Sequence, residues 1–405
     1  MTKQKHIHTT DIAVIGGGAS GLAAALAAAR CGAAVTILEK LNRMGKKLLA
    51  TGNGRCNLGN LSQDPIHYHG SIDINPVFAA FPGETAFFRS LGLMAQPDEA
   101  GRLYPVSGQA ASVLDALRLA CAQLGVREMC DFDIREIEAD SSGYIIRPQG
   151  KDAIVPARRV ILAAGGCAAP KFGTDGSGFR LAQSLGHQTT DLYPVLSPIS
   201  LKDPRPLRAL KGLRVSARVS ALRDGRVIAS EEGQVHFGDR AISGICAFNL
   251  AGHRPDTLAL DLLPRCDDPM GLLTEIMEIR AAAPLEDLLT GLFPKRIGQV
   301  LLSTCTDRPL REPVSALEPG ARKALAALVK NWQFPTISGT DWDAAQVTAG
   351  GVSDVEPTLQ SPHRRGIYFA GEILDVHGDT GGFNLRWAWA SGLMAGEQAA
   401  RGLYT

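Results

Sequence analysis

The stretch Asp11–Lys40, DIAVIGGGASGLAAALAAARCGAAVTILEK, decides the fold. From Ile12 to Ala29 it carries no charge, which invites reading it as an export signal or a membrane span. Its glycines argue otherwise. Gly16, Gly17, Gly18 and Gly21 fall within six positions, and each costs a helix interior about 0.8–1 kcal/mol. They follow Ile12-Ala13-Val14-Ile15, a short apolar run that reads as a buried strand. An Ala/Leu helix then runs to Arg30, Cys31-Gly32 breaks it, and Ala34–Leu38 reads as a second strand ending at Glu39. This is β–loop–α–β, with Gly16-x-Gly18-x-x-Gly21 in the loop and an acid about 20 residues on. Gly16 permits the tight turn, Gly18 leaves room for a pyrophosphate, and Gly21 lets the helix approach the sheet. The first helical turn, from Ala19 and Ser20, offers free N–H groups and the positive end of a dipole. Glu39 is placed to accept both hydroxyls of a ribose and to repel a 2′-phosphate, which disfavours NADP in this site.

Working outward, the rest of the chain fits a soluble, cytoplasmic enzyme. Its 405 residues suggest two or three domains. Net charge is +1, from 42 basic and 41 acidic residues, so no global charge points to nucleic acid or a membrane surface. The eight cysteines lack C-x-x-C or C-x-x-x-x-C spacing, which argues against zinc ribbons, iron–sulfur clusters and a dithiol relay. No metal site is expected. His67 and His69, two apart in a loop, read as solvated.

Glycine-rich segments recur at both ends. GKKLLATGNGRCNLGN follows Glu39 and is too polar for a core strand. Val160–Ala164 is an apolar strand ending in Gly165-Gly166, and GTDGSG follows it. Prolines cluster at Pro194, Pro198, Pro204 and Pro206, and mark a boundary. Beyond them, LRVSARVSALRDGRVIA alternates around Asp224-Gly225, a hairpin signal. Residues 268–333 read as helices, PLEDLLTGLF among them. The glycine-rich style returns near residue 345, in a strand ending at Ala370, a loop, and a last helix from about Asn384. The expected domains are 1–190 and 345–405 as one nucleotide-binding fold, with 191–344 inserted: β-rich over 191–266, helical over 267–333. The fold class is therefore α/β, a Rossmann-like domain built from both chain ends with an inserted domain.

The motifs DIAVIGGGASG, GKKLLATGNGRCNLGN, VILAAGG, GTDGSG, VTAGGV and FAGEILDVHGDTGGFNLRWAWASG occur in collinear order. Together they resemble the HI0933-like (YhiN/BaiN-type) bacterial flavoproteins, within the glutathione reductase superclass of FAD-binding proteins. The resemblance implies FAD, and an insert made of a small β-barrel with helices; no His or Cys stands in an obvious attachment motif, so the FAD is expected to be non-covalent. On that resemblance the cofactor-binding residues are Gly16, Gly18, Ala19, Ser20, Gly21, Glu39, Lys40, Gly45, Lys46, Thr51, Gly52, Asn53, Arg55, Cys56 and Asn57. From the later motifs it adds Ala164, Gly165, Gly166, Gly371, Glu372, Asp375, Gly381, Gly382, Phe383 and Asn384. Glu372 matches the acid near the ribityl chain or pyrophosphate, and Gly381–Asn384 the helix start at the flavin's pyrimidine edge. No second G-x-G-x-x-G follows a strand, so the separate nicotinamide domain of disulfide reductases is missing. NAD(P)H would bind transiently.

Three residues are candidates for chemistry. Cys56, in GRCN, is either a thiol beside the flavin with its pKa lowered by Arg55 or a packed small residue. Arg55 either orients an anion or forms a structural ion pair. His377 is either a general acid or base or a surface loop histidine. The basic stretch Arg205–Arg226 lacks aromatics and reads as a solvated face rather than an RNA platform. The function expected is FAD-dependent oxidoreduction of a small organic substrate. The alternatives are an aminoacetone-type amine oxidase that releases peroxide and a flavin-bound RNA-associated or regulatory protein.

Overall fold

A computed structural model describes residues 5–6, 9–151, 153–337 and 341–404 of the chain, for residues 5–6 the backbone alone. It divides into two units: Met1–Tyr193 with Gln346–Thr405, and Pro194–Ala345.

The first unit is built on a sheet of eight strands. Strand β1 is Thr10–Ile15, helix α1 Ala19–Arg30, strand β2 Val35–Leu38 and strand β3 Arg127–Met129. Strands β4 (Ile134–Asp140), β5 (Gly143–Pro148) and β6 (Ala153–Leu162) follow. From the far end of the chain come β7 (Ile367–Phe369) and helix α2 (Phe383–Arg401). The order is β3-β2-β1-β6-β5-β4, with β7 and the two-residue strand Lys5–His6 also on β6. β1, β2, β3, β6 and β7 run parallel, and β4–β5–β6 form an antiparallel meander. Both faces are covered. Ile12 and Val14 pack into one core cluster, while Ala13 and Ile15 pack into another. That is why the strand reads as an unbroken apolar run rather than an alternating one.

The segment that resembled a membrane span is thus one strand and a helix of 12 residues. No helix among the described residues is long and apolar enough to cross a membrane. Helix α1 is rich in alanine because α2 lies directly on it. A Cβ on Gly396 would stand 2.2 Å from the Ala24 carbonyl oxygen, and one on Gly392 would stand 2.5 Å from that of Ser20. Small residues let the two backbones touch.

The second unit holds a closed barrel of six strands. In order around it these are Ile199–Leu201, Ala241–Ser243, Arg226–Phe237, Arg214–Arg223, Thr257–Asp261 and Trp332–Ile337. The expected hairpin turns at Asp224-Gly225, both at positive φ, as a primed turn requires. Val215, Ala217, Val219 and Ala221 alternate into the barrel core. Helices Pro269–Ile279, Lys295–Cys305 and Pro319–Lys330 contribute to the same core.

Two element expectations are corrected. PLEDLLTGLF is a single 3₁₀ turn, Leu285–Asp287, between Pro284 and Gly291 at φ +94°. Leu285, Leu288 and Leu289 are buried at helical spacing, but Pro284 and the left-handed glycine leave no room for a second turn. Residues 332 and 333, expected at the end of the helical stretch, instead open the strand Trp332–Ile337, which closes the barrel.

Candidate functional site

The wall of the site starts where β1 ends. Gly16 takes φ +105°, a conformation that favours glycine. A Cβ on Gly21 would lie 1.9 Å from the Gly16 carbonyl oxygen, so the turn closes only without one. A Cβ on Gly18 would meet nothing within 4 Å. Open space therefore lies over the glycine that begins α1, where the first-turn N–H groups have no helical partners.

Glu39, only 9% exposed, is held in place by backbone. Its Oε2 accepts from Gly17 N at 2.7 Å and its Oε1 from Leu41 N at 2.9 Å. Each carboxylate oxygen keeps a further lone pair for a ligand. The next turn is fastened to the first, with Gly45 N donating to Gly17 O at 2.9 Å.

The far end of the chain completes this wall. Ser20 Oγ donates to Ala370 O at 3.3 Å. Helix α2 holds the turn after β7: Gly371 N donates to Ser391 Oγ, and Trp387 Nε1 donates to Gly371 O. The next residue, Glu372, receives Lys47 Nζ at 2.8 Å on one oxygen and Thr348 N at 2.9 Å on the other. Thr348 Oγ1 in turn accepts from the N–H groups of Cys167 and Ala168. A Cβ on Gly166 would strike that hydroxyl at 2.3 Å. Lys47 and Thr348 were missed in the sequence; the signal for Lys47 was only its place in a lysine pair inside the glycine-rich loop.

Asn57 and the start of α2 meet next. Gly382 takes φ +106°, and a Cβ there would lie 2.7 Å from Asn57 Oδ1. That oxygen is buried without a partner among the described residues. Asn60 Nδ2 donates to Gly381 O at 3.0 Å. Asn384 brackets Gly378, accepting from its N–H at 2.8 Å and donating to its carbonyl at 2.7 Å.

Strand Val376–Gly378 pairs antiparallel with Tyr68–Gly70, which sets His377 opposite His69. Asp379 lies between two imidazoles, with His67 Nδ1 at 3.0 Å and His69 Nε2 at 2.9 Å. Burial alone would raise the Asp379 pKa; the hydrogen bonds to His69 and His67 outweigh it and hold the carboxyl low. His69 is exposed and His67 half-buried, in keeping with their reading as solvated, but both also bond a partner more than 300 positions away. His67 also stacks on Phe383, centroids 4.2 Å apart. Asp375 accepts Ser71 Oγ at 2.7 Å.

The three chemical candidates separate. Cys56 is fully buried, and burial pushes its thiol up to about 12, against a smaller lowering by Thr51. Of the two readings of Cys56, the packed residue fits, and the thiol lowered by Arg55 does not: that guanidinium lies over the Tyr104 ring at 4.3 Å. His377 is buried rather than a surface loop residue, at 9% exposure. Burial, aided by the charge of His69, lowers its pKa to about 4. At neutral pH it is therefore an uncharged imidazole, unable to serve as an imidazolium acid.

Other expected residues fall at the margin. Lys40 pairs with Asp175 at 2.7 Å, and Thr51 Oγ1 donates to Leu48 O. Asn53 is exposed and Lys46 half-buried. Gly52 and Asn53 both take positive φ in the turn that leads to Cys56. Ala164 and Gly165 follow β6 beside Gly16, whose Cβ would meet Ala163 O at 2.4 Å.

One group among the described residues has the donors of a metal site: His187, Asp354 and His363. Their separations are those of hydrogen bonds, 2.9 Å and 2.6 Å from Asp354 to the two imidazoles. Ligands about 2.0–2.1 Å from a tetrahedral zinc stand farther apart than that. Ser361 Oγ accepts from two backbone N–H groups and lies 2.6 Å from His187 Nε2. With both lone pairs used, the hydroxyl donates to His187 Nε2, which puts the ring proton on Nδ1, facing Asp354.

The cradle fits an FAD. It combines open space over Gly18, a pinned carboxylate at Glu39, the helix start at Gly382, and buried orphaned atoms at Asn57 Oδ1 and His377 Nδ1.

A sequence model of the HI0933-like protein Rossmann domain matches residues 10–398. The chain is 38% identical over 419 residues to the 3-dehydro-bile acid delta(4,6)-reductase of Clostridium scindens, covering 96% of this chain and 98% of that one. It is 28% identical over 397 residues to the ribosomal RNA dihydrouridine synthase of Haemophilus influenzae, covering 93% and 95%. Among solved structures it resembles the 3-ketosteroid delta1-dehydrogenase of Sterolibacterium denitrificans, with a TM-score of 0.55 and 14% identity over 97% of this chain and 100% of that one. At that identity the likeness is one of fold.

Proposed function

The chain belongs to the HI0933-like Rossmann-domain family, and from that membership we propose that it reduces a carbon–carbon double bond conjugated to a carbonyl group. It is an FAD-dependent oxidoreductase. The observation that carries the finer reading is the end-to-end likeness, at 38% identity, to a relative named as a delta(4,6)-reductase. The dihydrouridine synthase relative is named for the same change, a saturated bond in a conjugated ring. The favoured substrate is a small, rigid, apolar enone or dienone, with a nicotinamide nucleotide as reductant.

In this reading each part of the wall has a task. The N–H groups of Ala19 and Ser20, open over Gly18, hold the pyrophosphate. Glu39 takes the adenosine ribose, and the Lys47–Glu372 pair lies along the ribityl side. The start of α2, from Gly382 to Asn384, turns its N–H groups and dipole toward the flavin edge where negative charge gathers. Bound non-covalently, FAD supplies hydride transfer at N5. Cys56, with its thiol pushed up to about 12, takes no part as a thiolate and acts as a packed residue.

A second reading, action on uridine in RNA, is favoured by the 28% relative. The basic stretch Arg205–Arg226 gives it little support. Arg218 pairs with Glu232, Arg205 with Asp203 and Lys211 with Asp239, which leaves much of that charge neutralised.

The test is an anaerobic visible spectrum of the purified protein. A flavin spectrum that bleaches with NADH or NADPH, and returns on adding a 3-oxo-4,6-diene steroid acid, is the expected result. Return with uridine-bearing ribosomal RNA instead establishes the second reading. Bleaching by aminoacetone, with peroxide released in air, would identify an oxidase and overturn both.

A further inference from the structure

We propose that the His377 imidazole donates a hydrogen bond to the carbonyl oxygen of the conjugated substrate, with His69, Asp379 and His67 fixing it in place. The inference rests on the reading of the site as a reductase of conjugated double bonds.

The first support is an unmet polar atom. His377 is nine-tenths buried, yet its Nδ1 has no partner among the described residues. Native proteins rarely leave such an atom unmatched, and a ligand or a water normally completes it. A second orphan, Asn57 Oδ1, lies at the start of α2, and Asn384 of that helix grips the Gly378 backbone next to His377. Two unmatched atoms thus sit around one helix start, the one that faces the flavin edge in the reading above.

The second support is how firmly the ring is held. His377 sits opposite His69 in the strand pair, ring centroids 5.2 Å apart. His69 is fixed by Asp379, Asp379 by His67, and His67 by its stack on Phe383. The rigid chain of contacts ends on α2 itself. A donor fixed this way needs no reorganisation when charge develops, which is where electrostatic stabilisation is worth most.

The third support is charge state. The ionisable groups facing His377 are His69 across the strand pair and Asp375 and Asp379, which flank its own strand. Burial and His69 prevail over the two carboxylates, so the ring is neutral at physiological pH. A neutral imidazole polarises a carbonyl by donating a hydrogen bond without giving its proton away.

The chemistry balances with these parts. Hydride adds to the β-carbon, the π pair moves through the α-carbon, and negative charge settles on the carbonyl oxygen, where the imidazole N–H meets it. A proton from solvent then adds at the α-carbon. The substrate gains two electrons and two hydrogens, and a nicotinamide nucleotide is the ultimate reductant.

The experiment uses the flavin-loaded full chain and 4-nitrophenol, whose ionised oxygen imitates the enolate. Binding is read from the perturbed flavin spectrum on either side of pH 6, corrected for the phenol's own ionisation. The wild type binds the phenolate. His377→Phe, equal in bulk but without a donor, binds it at least tenfold more weakly. His377→Asn, a neutral donor, recovers most of the affinity. Flavin content and melting temperature are measured on all three. Three results would overturn the proposal: phenolate bound by the Phe variant within twofold of wild type, a wild-type protein that does not bind it, or an affinity that rises on lowering the pH in the wild type but not in the Phe variant, since the donor would then be an imidazolium. A wild-type protein that takes up no flavin would sink the underlying reading, and is a separate outcome.

Discussion

Gly18 and Gly21 stand three residues apart and do opposite things. A methyl on Gly21 collides with the Gly16 carbonyl, whereas one on Gly18 meets nothing. Gly18 also has φ −83°, which alanine adopts without strain. The two alanine variants should therefore split stability from binding. Gly18→Ala should leave unfolding free energy within about 0.5 kcal/mol of wild type, as an unstrained surface change does. It should weaken FAD by tenfold or more, because the new methyl occupies the space kept for phosphate. Gly21→Ala should lower both melting temperature and flavin content. Thermal scans and the flavin-to-protein absorbance ratio check this; a Gly18→Ala protein that retains full flavin affinity would remove the phosphate from that glycine.

At the scale of elements, the last helix is what joins the two ends of the chain. Besides its backbone contact with α1, it carries Arg386, buried against Glu84 with Nε 2.5 Å from Oε1. The same guanidinium donates to the carbonyls of Ser62 and Asn60. Removing one member leaves a buried charge uncompensated, so Glu84→Gln should destabilise the protein by about 3–5 kcal/mol. Glu84→Met with Arg386→Met together should lose less than either alone, measured by urea unfolding. Neither residue drew notice in the sequence, because Glu84 and Arg386 are 302 positions apart. The same applies to Lys47 with Glu372, and to His67 and His69 with Asp379. What could be read was what one local segment determines by itself: the glycine turn, Glu39 at a strand tip, the Asp224-Gly225 hairpin, the start of the last helix. Hydrogen-bond partners brought together by topology leave no local spacing to read. Cys56 shows the same limit, since burial by distant core residues raises its thiol and neighbouring Arg55 does not lower it.

At the scale of the molecule, Pro194–Ala345 is a continuous segment with its own closed barrel and its own core. Expressed alone, residues 194–345 should unfold cooperatively and bind no flavin. Circular dichroism during a denaturant titration, with the visible spectrum, checks both; a fragment without a cooperative transition would show that the barrel depends on the remainder of the chain. The proline cluster marked the start of this segment because prolines interrupt the preceding pattern. The strand Trp332–Ile337 that closes the barrel was not legible, because its pairing with Thr257–Asp261 is announced by no local pattern.

Strand β6 receives β1 on one edge and β7 on the other, and β7 is made about 200 residues after β6. During synthesis the glycine turn therefore waits for the far wall. Residues 346–405 take about 3–12 s to translate at ~5–20 residues per second. Over that interval a nascent chain can complete the barrel, but it cannot enclose a flavin. A flavin site walled by both strands is thus complete only after β7 and the turn at Gly371 have been made.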